Sequence, residues 1–147
     1  MDEPLVAAST QYLDSGTWGL TNNQSTFPAK IPGDIVTDLE TSGAIGDPLY
    51  ERNFKSLLWD ATAWTVTREF DAAPSVMALP TRWLVLDGVK MGAWVWFNGQ
   101  FLGTTADQFL RYTFDVSATV KSTGNMLQLT FPPSNHSLND EARWMAC

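Results

Sequence analysis

The chain has 147 residues, the length of one domain and enough to bury a core without help from metal or disulfide. Nine Lys and Arg stand against sixteen Asp and Glu, a formal net charge of -7, and the basic residues are scattered singly, which argues against nucleic acid or any other polyanion as a partner. No apolar run approaches the roughly 20 residues of a membrane span, MDEPLVAAST lacks the basic start and apolar centre of a signal peptide, and the one cysteine, Cys147, permits no internal disulfide. The cellular location is left open by this reading.

Residues 1–30 carry little pattern: Asp14-Ser15-Gly16 reads as a turn and TWGL (17–20) as a short strand before the polar run 21–26. Asn23-Gln24-Ser25, and later Asn135-His136-Ser137, fit the N-glycosylation triplet, which matters only on a secretory route. Pro32-Gly33 breaks the chain and Asp34 stands at an N-cap position. A short helix is therefore expected over residues 34–42, with Ile35, Val36 and Leu39 to one side and Gly43 at its end. It is the only helix of note. Residues 47–53 (DPLYERN) are irregular, because Pro48 holds Asp47 out of helix and the charges that follow do not alternate.

Strands follow. AWTVTREF (63–70) alternates, with Trp64, Val66, Arg68 and Phe70 on one face. RWLVLDGVKMGAWVWFNGQFLGT (82–104) holds three β-prone runs, 83–86, 93–97 and 100–102. Asn98-Gly99 between the last two is the strongest hairpin signal in the chain, since both residues adopt positive φ cheaply. In 93–97 Ala93, Val95 and Phe97 share one face and Trp94 and Trp96 the other; both are apolar, so coverage on both sides is expected. LRYTFDV (110–116) and MLQLTF (126–131) alternate again, and Pro132-Pro133 stops the last run. Strands about ten residues apart with turns between them predict an all-β protein, one antiparallel β-sandwich domain spanning 1–147 with one short helix. Its expected core includes Val85, Val95, Phe97, Leu102, Phe114, Leu127 and Leu129. Residues 143–147 (RWMAC) read as a strand cut short, as though the natural chain continued, with Cys147 a structural thiol and not a nucleophile.

Catalytic chemistry is sparse. The single histidine, His136, gives a Ser-His-Asp triad or a multi-histidine zinc site little to build on, and no metal or cofactor is expected. Gly88, Gly92, Gly99 and Gly103 are spaced as hairpin punctuation and no helix follows them, unlike a phosphate loop. Paired carboxylates hydrolyse glycosides, yet Asp71, Asp87, Asp107 and Asp115 all fall at turns or strand ends, where capping the backbone is their ordinary task. Nothing here makes the chain an enzyme by itself.

The order of motifs resembles a known family. IPGDIVTDLETSGAIGDPLYERN, Leu58-Trp59, WTVTREF, LVLDGVKMGAWVWFNGQFLGTTADQFLRYTFDV and GNMLQLTF together resemble the N-terminal domain of family 2 glycoside hydrolases, over about residues 28–147. The β-mannosidase and exo-β-glucosaminidase branch is the most similar. The resemblance implies a jelly-roll, galactose-binding-like sandwich, followed in such enzymes by an immunoglobulin-like domain and a (β/α)₈ barrel carrying both catalytic glutamates, which this sequence does not contain. It implies a carbohydrate partner, a β-mannoside or related glycan, and a substrate-binding role for Asn53, matching an asparagine that reaches the sugar in the barrel's pocket in related β-galactosidases. An Asn bonded within its own loop is the competing reading. The chain departs from the family pattern at Val89-Lys90-Met91-Gly92 and at Ala106-Asp107-Gln108-Phe109.

Two functions of different class result. One is an accessory domain forming a wall of a glycosidase active site; the other is a free-standing carbohydrate-binding module that stacks sugars on Trp94, Trp96 or Trp18. The two apolar faces of 93–97 favour burial, and hence the first.

Overall fold

The structure, a computed structural model, describes residues 8–50, 62–90 and 92–133. In chain order these form β1 (Trp18–Thr21), β2 (Thr26–Ala29), α1 (Ile35–Thr41), β3 (Trp64–Phe70), α2 (Pro74–Met77), β4 (Trp83–Leu86), β5 (Trp94–Phe97), β6 (Gln100–Thr104), β7 (Tyr112–Asp115) and β8 (Asn125–Phe131). Six strands make one sheet in the order β2-β1-β3-β8-β5-β6, and β4 pairs with β7 in a second. Every pairing is antiparallel. The expected antiparallel architecture stands.

The core fills from alternate positions. Leu20, Val66, Leu129 and Val95 lie abreast across β1, β3, β8 and β5, all buried, and Phe97 beside Leu127 continues the layer. From the small sheet Leu84 and Leu86 close over them, with Phe114 and Tyr112 partly buried alongside. Val95, Phe97, Leu127 and Leu129 are in the core as expected, and Leu102 and Phe114 pack against it partly buried.

Val85 is not in the core. It lies on the outer face of β4, 46% exposed, next to Trp83. All four residues of Trp83-Leu84-Val85-Leu86 are apolar, so period two fixes the alternation but not which set turns inward; a one-residue shift exchanges the faces. Coverage of β5 on both sides is likewise corrected. Trp94 is 49% exposed and Trp96 half-buried, its ring 5.1 Å from that of Phe101.

The sequence reading passes over β2 and α2. Pro28 withholds an N–H from β2, which is tolerated because β2 is an edge strand of the large sheet. α2 is one turn begun by Pro74, a residue suited to the first helical position. α1 forms where expected: Asp34 accepts from the Thr37 N–H at 2.9 Å and from its hydroxyl at 2.7 Å, and Leu39 is buried.

Candidate functional site

The two ends of the sandwich are built differently. At the end holding the β3–α2, β5–β6 and β7–β8 connections, side chains brace the backbone throughout. Asn98, at φ 49 before Gly99 at φ 80, turns the β5–β6 hairpin as its sequence demands. Its amide donates to the Thr119 carbonyl and to Asn125 Oδ1, at 2.8 and 3.0 Å, and its oxygen accepts from the Met126 N–H. Asn125, fully buried, donates to the carbonyls of Phe70 and Lys121 and accepts from the Lys121 N–H. Arg82 donates to the carbonyls of Val76, Met77 and Ser117, tying α2 to the chain after β7. Asp71 accepts from the Gly124 N–H. Such an end leaves its polar groups spent on structure.

The opposite end is a rim. Register brings together the start of β3, the end of β8 and the start of β5, since Trp64 faces Phe131 and Trp94 faces Thr130. Trp94 also faces Thr104 at the end of β6, and the β1–β2 turn joins them because Thr21 faces Thr65. The described parts of the crossing loops, 87–90, 92–93 and 105–111, complete the rim. Thr105 links them: its hydroxyl donates to the Lys90 carbonyl at 2.7 Å and accepts from the Ala93 N–H at 3.0 Å. The Tyr112 hydroxyl accepts from the N–H groups of Ala106 and Asp107 at 2.7 and 2.8 Å and donates to the Asp107 carbonyl. Arg111 reaches across to Asp87 with two bonds, at 2.8 and 2.9 Å.

The carboxylates follow the capping reading, with one change of partner. Asp107 caps the Phe109 N–H, and Asp115 accepts from both the N–H and the hydroxyl of Ser117, which holds its carboxyl below the ordinary carboxylate range. Asp87 is paired with the Arg111 guanidinium, chiefly a side-chain hydrogen bond, and its carboxyl is lowered in turn. Asp38 is raised, by burial, while its two oxygens accept from the Lys30 N–H. It lies in a shallow groove between β2 and α1, lined also by Pro28 and Ser42. Among the described residues no group of three or more His, Cys, Asp or Glu is arranged to hold a metal.

Asn53, His136 and Cys147 lie outside the described residues. The described part of the loop leading to Asn53 is an Asx turn, in which Asp47 accepts from the Leu49 N–H at 2.8 Å; Leu49 and Tyr50 project outward. Trp18 is buried and its indole N–H donates to the Leu13 carbonyl, so it offers no stacking surface. Phe109 and Leu110, exposed at the rim, were passed over by sequence reasoning, which took 110–116 as a strand; β7 starts two residues later.

Strand order and rim define a galactose-binding-like sandwich. Residues 18–144 match the family model described as "Glycosyl hydrolase 2 galactose-binding domain-like", and the chain belongs to that family. Rat β-mannosidase is 34% identical over 129 residues, covering 86% of this chain and 14% of the rat protein. Aspergillus aculeatus β-mannosidase A is 36% identical over 126 residues, 79% of this chain and 13% of that one. The crystal structure of the β-D-mannosidase of Dictyoglomus thermophilum superimposes with a TM-score of 0.79 at 22% identity, over 87% of this chain and 16% of that one. The exo-chitosanase of Amycolatopsis orientalis does so at 0.66 and 17%, over 80% and 16%. The chain thus spans about one seventh of the curated relatives it matches.

Proposed function

We propose that this chain is the accessory, sugar-side domain of a β-mannosidase-like glycoside hydrolase acting on terminal β-D-mannosides. Its rim forms one wall of the active site. Catalysis belongs to a barrel in a further part of the polypeptide, preceded by an immunoglobulin-like domain, and residues 1–147 make up a single domain of that longer protein. The observation that carries this reading is the identity to β-mannosidases, spread over most of the chain. The chemistry agrees with it. A retaining glycosidase needs two carboxyl groups about 5 Å apart, one of them protonated near neutral pH. Asp71, Asp87, Asp107 and Asp115 are instead each engaged with a backbone N–H or with Arg111. Asn53 is the residue of this wall proposed to meet the sugar, and the resemblance to the family is what supports that role. The 147-residue chain is expected to give no turnover of an aryl β-mannoside; turnover at an enzymatic rate contradicts the assignment.

The exposure of Trp94 favours a second reading, a carbohydrate-binding module. Trp94, Trp96 and Phe101 share the outer face of the large sheet, with Gln128 and Thr130 as cross-strand neighbours. Rings beside amide and hydroxyl groups suit the apolar face and hydroxyl edge of a sugar. Tryptophan fluorescence titrated with β-manno-oligosaccharides separates the two readings: the wall reading expects nothing tighter than millimolar, and saturation at micromolar sugar that disappears in Trp94→Ala supports the module.

A further inference from the structure

Phe109 is 86% exposed and its neighbour Leu110 53%, and both stand on a turn that is held from three sides. Within the turn, Asp107 accepts from the Phe109 N–H through its carboxylate and from the Leu110 N–H through its carbonyl. From below, the Tyr112 hydroxyl holds Ala106 and Asp107. To one side, the fork of Arg111 on Asp87 fastens the turn to the neighbouring loop. Two large apolar side chains facing water on a backbone so constrained gain nothing for the fold. A surface of this kind instead lowers the ordering cost of association, because its shape is set before the partner arrives.

The occupant follows from where the polypeptide runs. β8 delivers the chain to this same rim at Phe131, and the relatives it matches are several times longer. The chain therefore leaves β8 at the end of the sandwich that carries the Phe109 turn, and tethering raises the effective concentration of a downstream portion so far that a small apolar contact suffices. We propose that Phe109 and Leu110 are the anchor by which this domain docks onto the downstream catalytic portion of its own polypeptide, seated in an apolar pocket there with the Asp87–Arg111 pair at the polar border of the contact. The inference rests on the reading above that such a portion exists, and it names the residues that hold the wall in place.

The test uses the complete longer polypeptide with a photoreactive benzoylphenylalanine in place of Phe109. Irradiation is expected to give an intramolecular cross-link to a peptide beyond residue 147. A cross-link between two molecules, which would assign the turn to a second copy, or none at all, overturns the proposal. A second variant, Phe109→Ser with Leu110→Ser, removes surface side chains only. It is expected to split the thermal unfolding of the full polypeptide into two transitions and to lower kcat/KM on an aryl β-mannoside by about tenfold or more through misplacement of the wall. Unfolding identical to that of the unsubstituted protein contradicts docking. The cross-link does not depend on turnover, so a polypeptide that cross-links without hydrolysing mannosides defeats the functional reading and leaves the docking in place.

Discussion

Asn125 shows how much of this fold rests on a single amide. Fully buried, it serves Phe70, Lys121 and Asn98 at once, so truncation leaves several polar groups without partners in a buried site. Asn125→Ala is expected to cost about 3 kcal/mol, near the upper end for orphaned buried groups, measured by urea unfolding; a loss below about 0.5 kcal/mol would show that water replaces the network. The sequence reveals Asn98 through its Gly99 neighbour but gives no sign of Asn125, which reads as an ordinary turn residue. Its role comes from three segments that meet only in the folded chain.

Asp34 and Asp38 pull in opposite directions with pH. The Thr37 hydroxyl and N–H hold the Asp34 carboxyl below its usual 3.8, so its contribution is present above that value and is lost as pH falls through the folded-state value. Asp38 is raised by burial, so it opposes folding at neutral pH and that penalty is relieved as pH falls. Asp34→Ala is expected to lower stability by about 1 kcal/mol at pH 7, the usual cost of a lost N-cap. The difference should shrink as the pH is taken down through the carboxylate range. A difference independent of pH would mean that the cap does not act through its charge.

At the scale of elements, legibility depended on contrast within a segment. β3 and β8 alternate clearly, and their strands and inward faces were readable; Asp34, Gly43 and the Leu39 spacing did the same for α1. β4 is apolar throughout, and there the sequence holds the strand but not its orientation, which explains Val85. β2 was hidden by Pro28, since a strand carrying proline is recognisable only once its edge position is known. The orientation of β4 is testable. Leu84→Ala should cost about 2–5 kcal/mol as a core truncation, while Val85→Thr should stay within about 0.5 kcal/mol. The reverse order in thermal unfolding would restore Val85 to the core.

Among the described residues, one end of the sandwich is tied together through Asn98 and Asn125 and the other carries the exposed Phe109 and Leu110. The family was readable because its motifs are turn and strand signals distributed over most of the chain, each with a mechanical reason. The rim was not readable. Leu110 looks like the start of a strand until Tyr112 and Asp107 are seen to hold it and Phe109 in a turn. Asn53, the one residue for which the resemblance implies contact with sugar, lies outside the described residues, so its part in the wall is a matter for kinetics. The most direct measurement is kcat/KM for an aryl β-mannoside in the longer polypeptide with and without Asn53→Ala. An amide that meets a sugar hydroxyl in the transition state is expected to cost roughly 1–3 kcal/mol when removed, about five- to 150-fold in kcat/KM. An unchanged kcat/KM would contradict a wall built on this residue.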